Sequence, residues 1–276
     1  MLLFLFTAGI ARAQQKELFV LHTSDTHSRI DPLEPTSSDT YRGMGGVARR
    51  SSYISEMRKQ HPNLLILDCG DISQGTPYYN MFKGELEVKA MNLMGYDAMT
   101  IGNHEFDFGL ENMERIFKMA NFPVVCANYD FTATPLKDLV KPYVVLERDG
   151  LRIGIFGLSP QIEGLVQASK SEGVVFSDPA VAANKVAAVL KEKEDCDVII
   201  CLSHLGYDNS ETPGRYSDNA VIPQLHYVDL VLGGHSHTYM KEPAVLKDAD
   251  GKDVTLYHTG KNGAFVGTYQ LTFAEK

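Results

Sequence analysis

The feature that most constrains this chain is a recurring alternation. Short, unbroken runs of apolar and β-branched residues are followed by segments with helical periodicity. The runs are residues 18–23, 64–67, 98–101, 124–127, 143–146, 153–157, 198–202, 228–232, 254–257 and 264–273. Amphipathic patterns fill residues 47–59, 85–94, 110–120 and 179–194. A strand with one wet face would alternate apolar and polar residues; an unbroken apolar run predicts a strand covered on both faces. Strands of that kind, interleaved with helices, predict an α/β domain with much parallel pairing. The last strands, with Asp250-Gly251 at a turn between Val245 and Val254, read instead as antiparallel hairpins. The longest irregular stretch, residues 31–46, holds Pro32, Pro35 and Gly43-Met44-Gly45-Gly46. A loop that long is often part of a site.

Five of the runs end in groups that can do chemistry. Run 18–23 leads into Asp25-Thr26-His27, and run 64–67 into Gly70-Asp71. Run 98–101 leads into Gly102-Asn103-His104-Glu105-Phe106-Asp107, run 198–202 into His204, and run 228–232 into Gly234-His235-Ser236-His237. In extended backbone, residues i and i+2 point the same way, so Asp25 and His27 are expected on one side, and likewise His235 and His237. Gly70 lets the chain turn sharply and carry Asp71 back over the strand end. Open α/β sheets bind ligands beyond the carboxyl ends of their strands. All five groups sit at such ends, so the fold would collect them on one edge. Five of the nine histidines fall there, while His22, His61, His226 and His258 read as ordinary strand, helix-end and loop residues.

Composition narrows the partners. The 276 residues are 44% hydrophobic, enough for a sizeable core, and carry a formal net charge of -9. Such a chain is a poor match for duplex nucleic acid, which is bound through Lys and Arg. Small anionic substrates stay open, because bound cations can set a local sign against the global one. Residues 1–13 read as an export signal: an apolar stretch after Met1, then Ala11-Arg12-Ala13 before Gln14. The stretch is too short to span a bilayer, and no later one is long enough. An exported protein is therefore expected, periplasmic in a Gram-negative host. Cys69, Cys126, Cys196 and Cys201 show no C-x-x-C and no framework spacing. They are expected as buried small hydrophobes, with one bridge left open. Arg49 and Arg50, in GGVARR at 45–50, read as residues of a solvated helix face, with a place near the cleft as the alternative.

Taken in order, D-x-H, G-D, G-N-H-E, His204 and G-H-x-H resemble the calcineurin-like metallophosphoesterase superfamily. Within it, GNHEFD at 102–107, GGHSH at 233–237 and the run MNLMGYDAMTIGNHE are most similar to the catalytic domain of the 5′-nucleotidase family. The resemblance covers nearly all of residues 14–276. It implies an α/β fold of the two-sheet β-sandwich type flanked by helices, with metals at the C-terminal ends of strands. It implies Asp25, His27 and His237 on a first metal, Asn103, His204 and His235 on a second, and Asp71 bridging both. His104 then stands over the phosphate as general acid, oriented by Asp107. Mixed N/O ligation without thiolate suits Zn, Mn, Fe or Co. The implied activity is hydrolysis of phosphate esters, nucleoside 5′-monophosphates foremost, by a hydroxide bridging the two metals. Cyclic-nucleotide phosphodiesterase, nucleotide-sugar hydrolase and broad phosphomonoesterase activities stand as alternatives, with a non-catalytic metal- or nucleotide-binding module behind them. The chain stops just after the closing strand, so the C-terminal domain that reads the nucleoside in two-domain relatives is expected to be absent, truncated from this sequence or supplied by a separate chain.

Overall fold

The computed structural model describes residues 16–208 and 216–273. Two six-stranded sheets stack face to face, each covered on its outer side by helices. The first sheet runs in the order β14 (Gly267–Phe273), β1 (Lys16–Thr23), β2 (Leu65–Asp68), β3 (Ala98–Met99), β4 (Val124–Val125), β6 (Val140–Lys141). The second runs β12 (Ala244–Lys247), β13 (Asp253–His258), β11 (Leu230–Gly233), β10 (Val198–Ser203), β8 (Leu151–Leu158), β7 (Tyr143–Arg148). Inner pairings are parallel: Thr23 lies opposite Asp68 in β1–β2, and Ser203 opposite Gly233 in β10–β11. The outer strands β14, β7 and β12 pair antiparallel, and β12–β13 is the hairpin predicted around Asp250-Gly251. A small pair, β5 (Tyr129–Asp130) with β9 (Val175–Phe176), lies apart.

The unbroken apolar runs have the cause inferred from sequence. In β1 and β2, Leu18, Val20, Leu65 and Leu67 face the second sheet, where Ile153, Ile155, Ile200, Leu202, Leu230 and Leu232 meet them. The opposite parity, Leu21 and Ile66, faces α1 (Val47–Gln60) and α3 (Glu85–Met94), with Ile54, Val88 and Met91 in the same core. In β10, Ile199 and Cys201 face α5 (Pro179–Glu192) and α6 (Asp218–Val221) through Ala183, Ala187, Leu190 and Val221. Each such residue is buried whichever way it points, which stabilises by roughly 1.5–3 kcal/mol per large aliphatic side chain. Helix α4 (Gly109–Phe117) adds Met113, Ile116 and Phe117 to the core that holds Leu21 and Ile66, and α2 (Pro77–Phe82) packs beside α3. Helix α5 starts where its sequence says it should. Asp178 caps Val181 N at 3.0 Å, and Pro179 occupies the first turn, where its missing N–H costs nothing.

All four cysteines are buried and free. No helix among the described residues is long and apolar enough to cross a membrane. The predicted export signal lies outside the described residues.

Candidate metal centre

The strand ends of both sheets open on one rim. Beyond Thr23 and Asp68 the chain leaves the strand conformation, but the two loops stay paired. Asp25 N donates to Gly70 O at 2.9 Å, His27 N to Asp71 O at 3.1 Å, and Ser28 N to Ile72 O at 2.8 Å. From the second sheet, His235 N donates to Asp25 Oδ1 and Oδ2 at 3.1 Å. One expectation needs correction here. Asp25 and His27 do not share a side because of extended-strand alternation. β1 ends at Thr23, and Asp25 (φ 50°) and His27 (φ 46°) sit in the left-handed region. So do Asp71 (φ 54°), His235 (φ 73°) and His237 (φ 55°). Non-glycine residues rarely adopt that conformation, which is held here by the paired loops.

The result is two groups of side chains. Ligand-capable atoms of Asp25, His27 and His237 lie within 4.8 Å of one another, as do those of Asp71, His204 and His235. Each group draws on both sheets. His27 Nε2 faces His237 Nε2 at 3.0 Å, and His237 Nε2 lies 3.5 Å from Asp25 Oδ1. His204 Nε2 stands 3.1 Å from Asp71 Oδ2 and 3.9 Å from Asp25 Oδ1, so the groups adjoin. Asn103 Oδ1 and His204 Nε2 are buried without hydrogen-bond partners.

The chemistry of these donors fits divalent cations. His27 Nδ1 meets Ser73 O at 3.1 Å and His204 Nδ1 meets Cys69 O at 2.6 Å. A carbonyl only accepts, so each Nδ1 carries the proton and each Nε2 presents its lone pair to the centre. Burial lowers the pKa of His27, of His235 to about 3 and of His237 to about 4, keeping these rings neutral as metal ligands must be. Burial, and then the Asp71 charge, push the Asp25 carboxyl up to about 7 against the pull of His204. Asp71 goes the other way: burial opposes ionisation, but His204, His27 and His104 hold it below the ordinary range. His204 would be lowered by burial, yet Asp71 and Asp25 raise it to about 10. The two carboxylates thus favour positive charge among the nitrogens, which is what a cation supplies. Cys69 is no rival ligand; its thiol turns into the core toward Leu232 O at 3.2 Å.

His104 stands outside both groups. It opens a single 3₁₀ turn, His104–Phe108, in which residues three apart eclipse. Asp107 Oδ2 therefore meets His104 Nδ1 at 3.1 Å. His104 N donates to Asp71 Oδ1 at 2.8 Å, tying the ring to the second group. Burial would lower the His104 pKa, but the Asp107 hydrogen bond and the Asp71 charge raise it above the ordinary value. Its ring packs edge-on to His27 at 5.5 Å between centroids.

Three supporting features surround these groups. Glu105, fully buried, accepts Asp71 N at 2.9 Å, Gly102 N at 2.7 Å and Ser73 N at 3.2 Å, so one carboxylate ties two loops. Asn262 N donates to Asp25 O at 2.7 Å, bringing residues 260–263 against the site. His258 is not an ordinary strand residue: β13 lies inside its sheet rather than at an edge, and His258 Nε2 is buried 2.8 Å from Asp218 Oδ2. Ser203 Oγ binds the other oxygen of Asp218 at 2.5 Å, behind His204. Apart from Glu105 and Gly102, three residues apart, these partners are distant in the chain, so spacing gave no signal for them.

A sandwich of two mixed sheets with this rim of paired carboxylates and imidazoles defines a class. The chain belongs to the calcineurin-like phosphoesterase family, whose model matches residues 19–239. It is 33% identical to a snake venom 5′-nucleotidase of Gloydius brevicauda over 94% of this chain and 46% of that protein. Among solved structures, a 5′-nucleotidase precursor from Thermus thermophilus superposes with a TM-score of 0.82 at 34% identity, covering 94% of this chain and 52% of that one. The NAD nucleotidase of Haemophilus influenzae also gives 0.82, at 28% identity, covering 95% and 48%. The chain spans about half the length of the curated relatives it matches.

Proposed function

We propose that this chain hydrolyses phosphate esters, nucleoside 5′-monophosphates foremost, at a centre for two divalent cations. Asp25, His27 and His237 would hold one cation, and Asn103, His204 and His235 the other, with Asp71 shared. The observation that carries this reading is the convergence of two three-residue ligand groups beside one histidine that belongs to neither. Two cations bound there would offset the charge of a phosphate dianion and lower the pKa of a water from 15.7 toward about 7. Two carboxylates only half neutralise two divalent ions, so the bound site keeps a positive field that attracts phosphate despite the acidic surface.

The chain's own groups then divide the work. Asp71 Oδ1 fixes the His104 backbone, and Asp107 Oδ2 accepts the hydrogen bond of Nδ1–H. That leaves Nε2 of the protonated ring to donate to the leaving alkoxide, a role worth about 10²–10⁴ in rate. The raised His104 pKa keeps more of it protonated near neutrality. The donor set, N and O without thiolate, suits Zn, Mn, Fe or Co. The named relatives that act on nucleotides support that substrate class. The NAD nucleotidase neighbour supports a second reading, in which the same centre cleaves within a larger nucleotide. Export through residues 1–13 and base recognition by a unit outside this domain, in the same chain or another, complete the proposal.

The test is phosphate release from 5′-AMP by the chain reconstituted with Mn²⁺ or Zn²⁺, with p-nitrophenyl phosphate alongside and a chelator control. Chelator-sensitive release is expected from both. Release from the aryl phosphate alone would place nucleotide recognition elsewhere, and a metal-replete chain inert on both would refute the catalytic reading.

A further inference from the structure

Arg50 is the buried charge that the metal centre leaves unused. It lies on the inner face of α1, only 7% exposed, rather than on the solvated face expected from its sequence. Its Nε and Nη1 have no hydrogen-bond partner. A guanidinium cannot deprotonate in a protein, so burial without acceptors is costly. Of the carboxylates nearby, Asp68 is engaged elsewhere, and Glu87 keeps one buried oxygen, Oε2, without a partner. Asp68, which feels the charge of Arg50, accepts Thr23 Oγ1 at 2.5 Å and Gly70 N at 2.9 Å. Glu87 shares with Arg50 a void of about 10 Å³, room for one water, and is bound by Ser28 Oγ.

On its outer side Arg50 lines a cavity of about 390 Å³ between the 43–46 loop, the start of α1 and residues 263–266. That volume falls in the range of small-molecule sites. One end of it is cationic. Arg49 and Arg50 both line it, and no Asp or Glu among the described residues does. The fourteen-residue helix α1 begins there behind Gly46, with no side-chain cap and no acidic residue in its first turn. The helix's positive end is therefore not offset by a carboxylate, although its first N–H, that of Val47, is taken by Ile30 O at 2.9 Å. Gly263 is what lets Arg50 reach the wall: a Cβ there would lie 2.5 Å from Nη1. The rest of the lining, including Met44, Tyr53, Phe265 and Val266, is apolar or aromatic. The cavity is separate from the metal centre. Residues 262 and 263 form the partition, Asn262 N donating to Asp25 O on one side while Gly263 faces the cavity on the other.

We propose that this cavity binds a small organic anion, with a phosphate- or carboxylate-type headgroup on Arg49, Arg50 and the α1 N-terminus and an apolar body against Tyr53 and Phe265. The chain contains no tryptophan, so Tyr53→Trp puts a single fluorescent reporter on the cavity wall. Phenylphosphonate is the probe, titrated into this full chain in the presence of EDTA so that the cation groups do not contribute. Benzyl alcohol is the uncharged control. A saturable change in emission is expected with phenylphosphonate and none with benzyl alcohol. Arg49→Gln or Arg50→Met should weaken binding by about tenfold or more, the loss of a charge-assisted hydrogen bond. Ala264→Phe fills the cavity from the opposite wall, leaves both guanidiniums in place and should abolish the response, which keeps the test independent of any packing defect at Arg50. An unsaturable response, an equal response to benzyl alcohol, or binding unchanged in both Arg49→Gln and Ala264→Phe would overturn the assignment.

Discussion

Replacing Glu105 separates a positioning carboxylate from a merely buried one. Its Oε2 accepts two backbone N–H groups, from Asp71 and Gly102, and its Oε1 accepts a third, from Ser73. Glu105→Ala leaves three buried donors without an acceptor. At about 1–3 kcal/mol per orphaned group, the loss is roughly 3–9 kcal/mol, comparable with the whole stability of many domains. Glu105→Gln keeps one oxygen. Turned toward the Asp71 and Gly102 pair, it sets its NH₂ against Ser73 N–H, so one bond is lost and the cost is about 1–3 kcal/mol. The two variants should therefore differ by about threefold in destabilisation. Function should follow in the same order, because the loop bearing Asp71 and the turn bearing Asn103 and His104 are held together by this carboxylate. There is no slack between them: a Cβ added at Gly102 would run into Asp71. The assay is urea unfolding in EDTA, with the midpoint read at constant m-value, followed by metal affinity from competition with a chromophoric chelator. Equal midpoints for the Gln and Ala variants, or a wild-type midpoint for Glu105→Ala, would refute the reasoning.

Three further outcomes are expected. His104→Ala should keep both metals by elemental analysis while losing about 10²–10⁴ of turnover on a substrate with a poor leaving group; wild-type turnover would remove the acid role. Asp71→Ala should lose tight binding of both metals, and full occupancy would refute a shared carboxylate. His22, buried near His258, has its pKa lowered by burial to about 3, from an ordinary 6.5. Only the unfolded chain takes up that proton between these values, so the stability it contributes is complete above pH 6.5 and is lost as pH falls toward 3, at about 1.4 kcal/mol per unit. His22→Gln should flatten the acid limb of stability against pH by that slope, and parallel limbs would show that His22 is not the group responsible.

The sheets were legible because of what covers them. VIICLS in β10 is apolar at nearly every position since one parity meets the other sheet and the other meets α5. Helix α3 is seen over the predicted residues, between Gly84 and Gly95. The two-residue strands β5 and β9 were not legible, because their pairing depends on tertiary contact rather than local pattern. At the site, the sequence showed which residues stand at strand ends but not their conformation. Asp25 and His27 are brought round by backbone bonds to residues 70–72, and no property of D-x-H announces a positive φ. Arg50 defeated sequence reasoning for a similar reason. Its neighbour Arg49 is exposed, and helical periodicity alone could not show which of two adjacent arginines turns inward.

Neither sheet carries a complete ligand group. The first supplies Asp25, His27 and Asp71, the second His204, His235 and His237, and each cluster is a mixture of the two. A chain with one sheet formed and the other still loose therefore has nothing with which to capture a cation tightly. Metal capture becomes a report of sheet docking: in refolding, a metal-sensitive signal should rise only with the step that closes the inter-sheet core. Ions bound as proposed would clasp parts of the chain as far apart as residues 25 and 237, so the groups proposed for catalysis would also resist the separation of the two sheets.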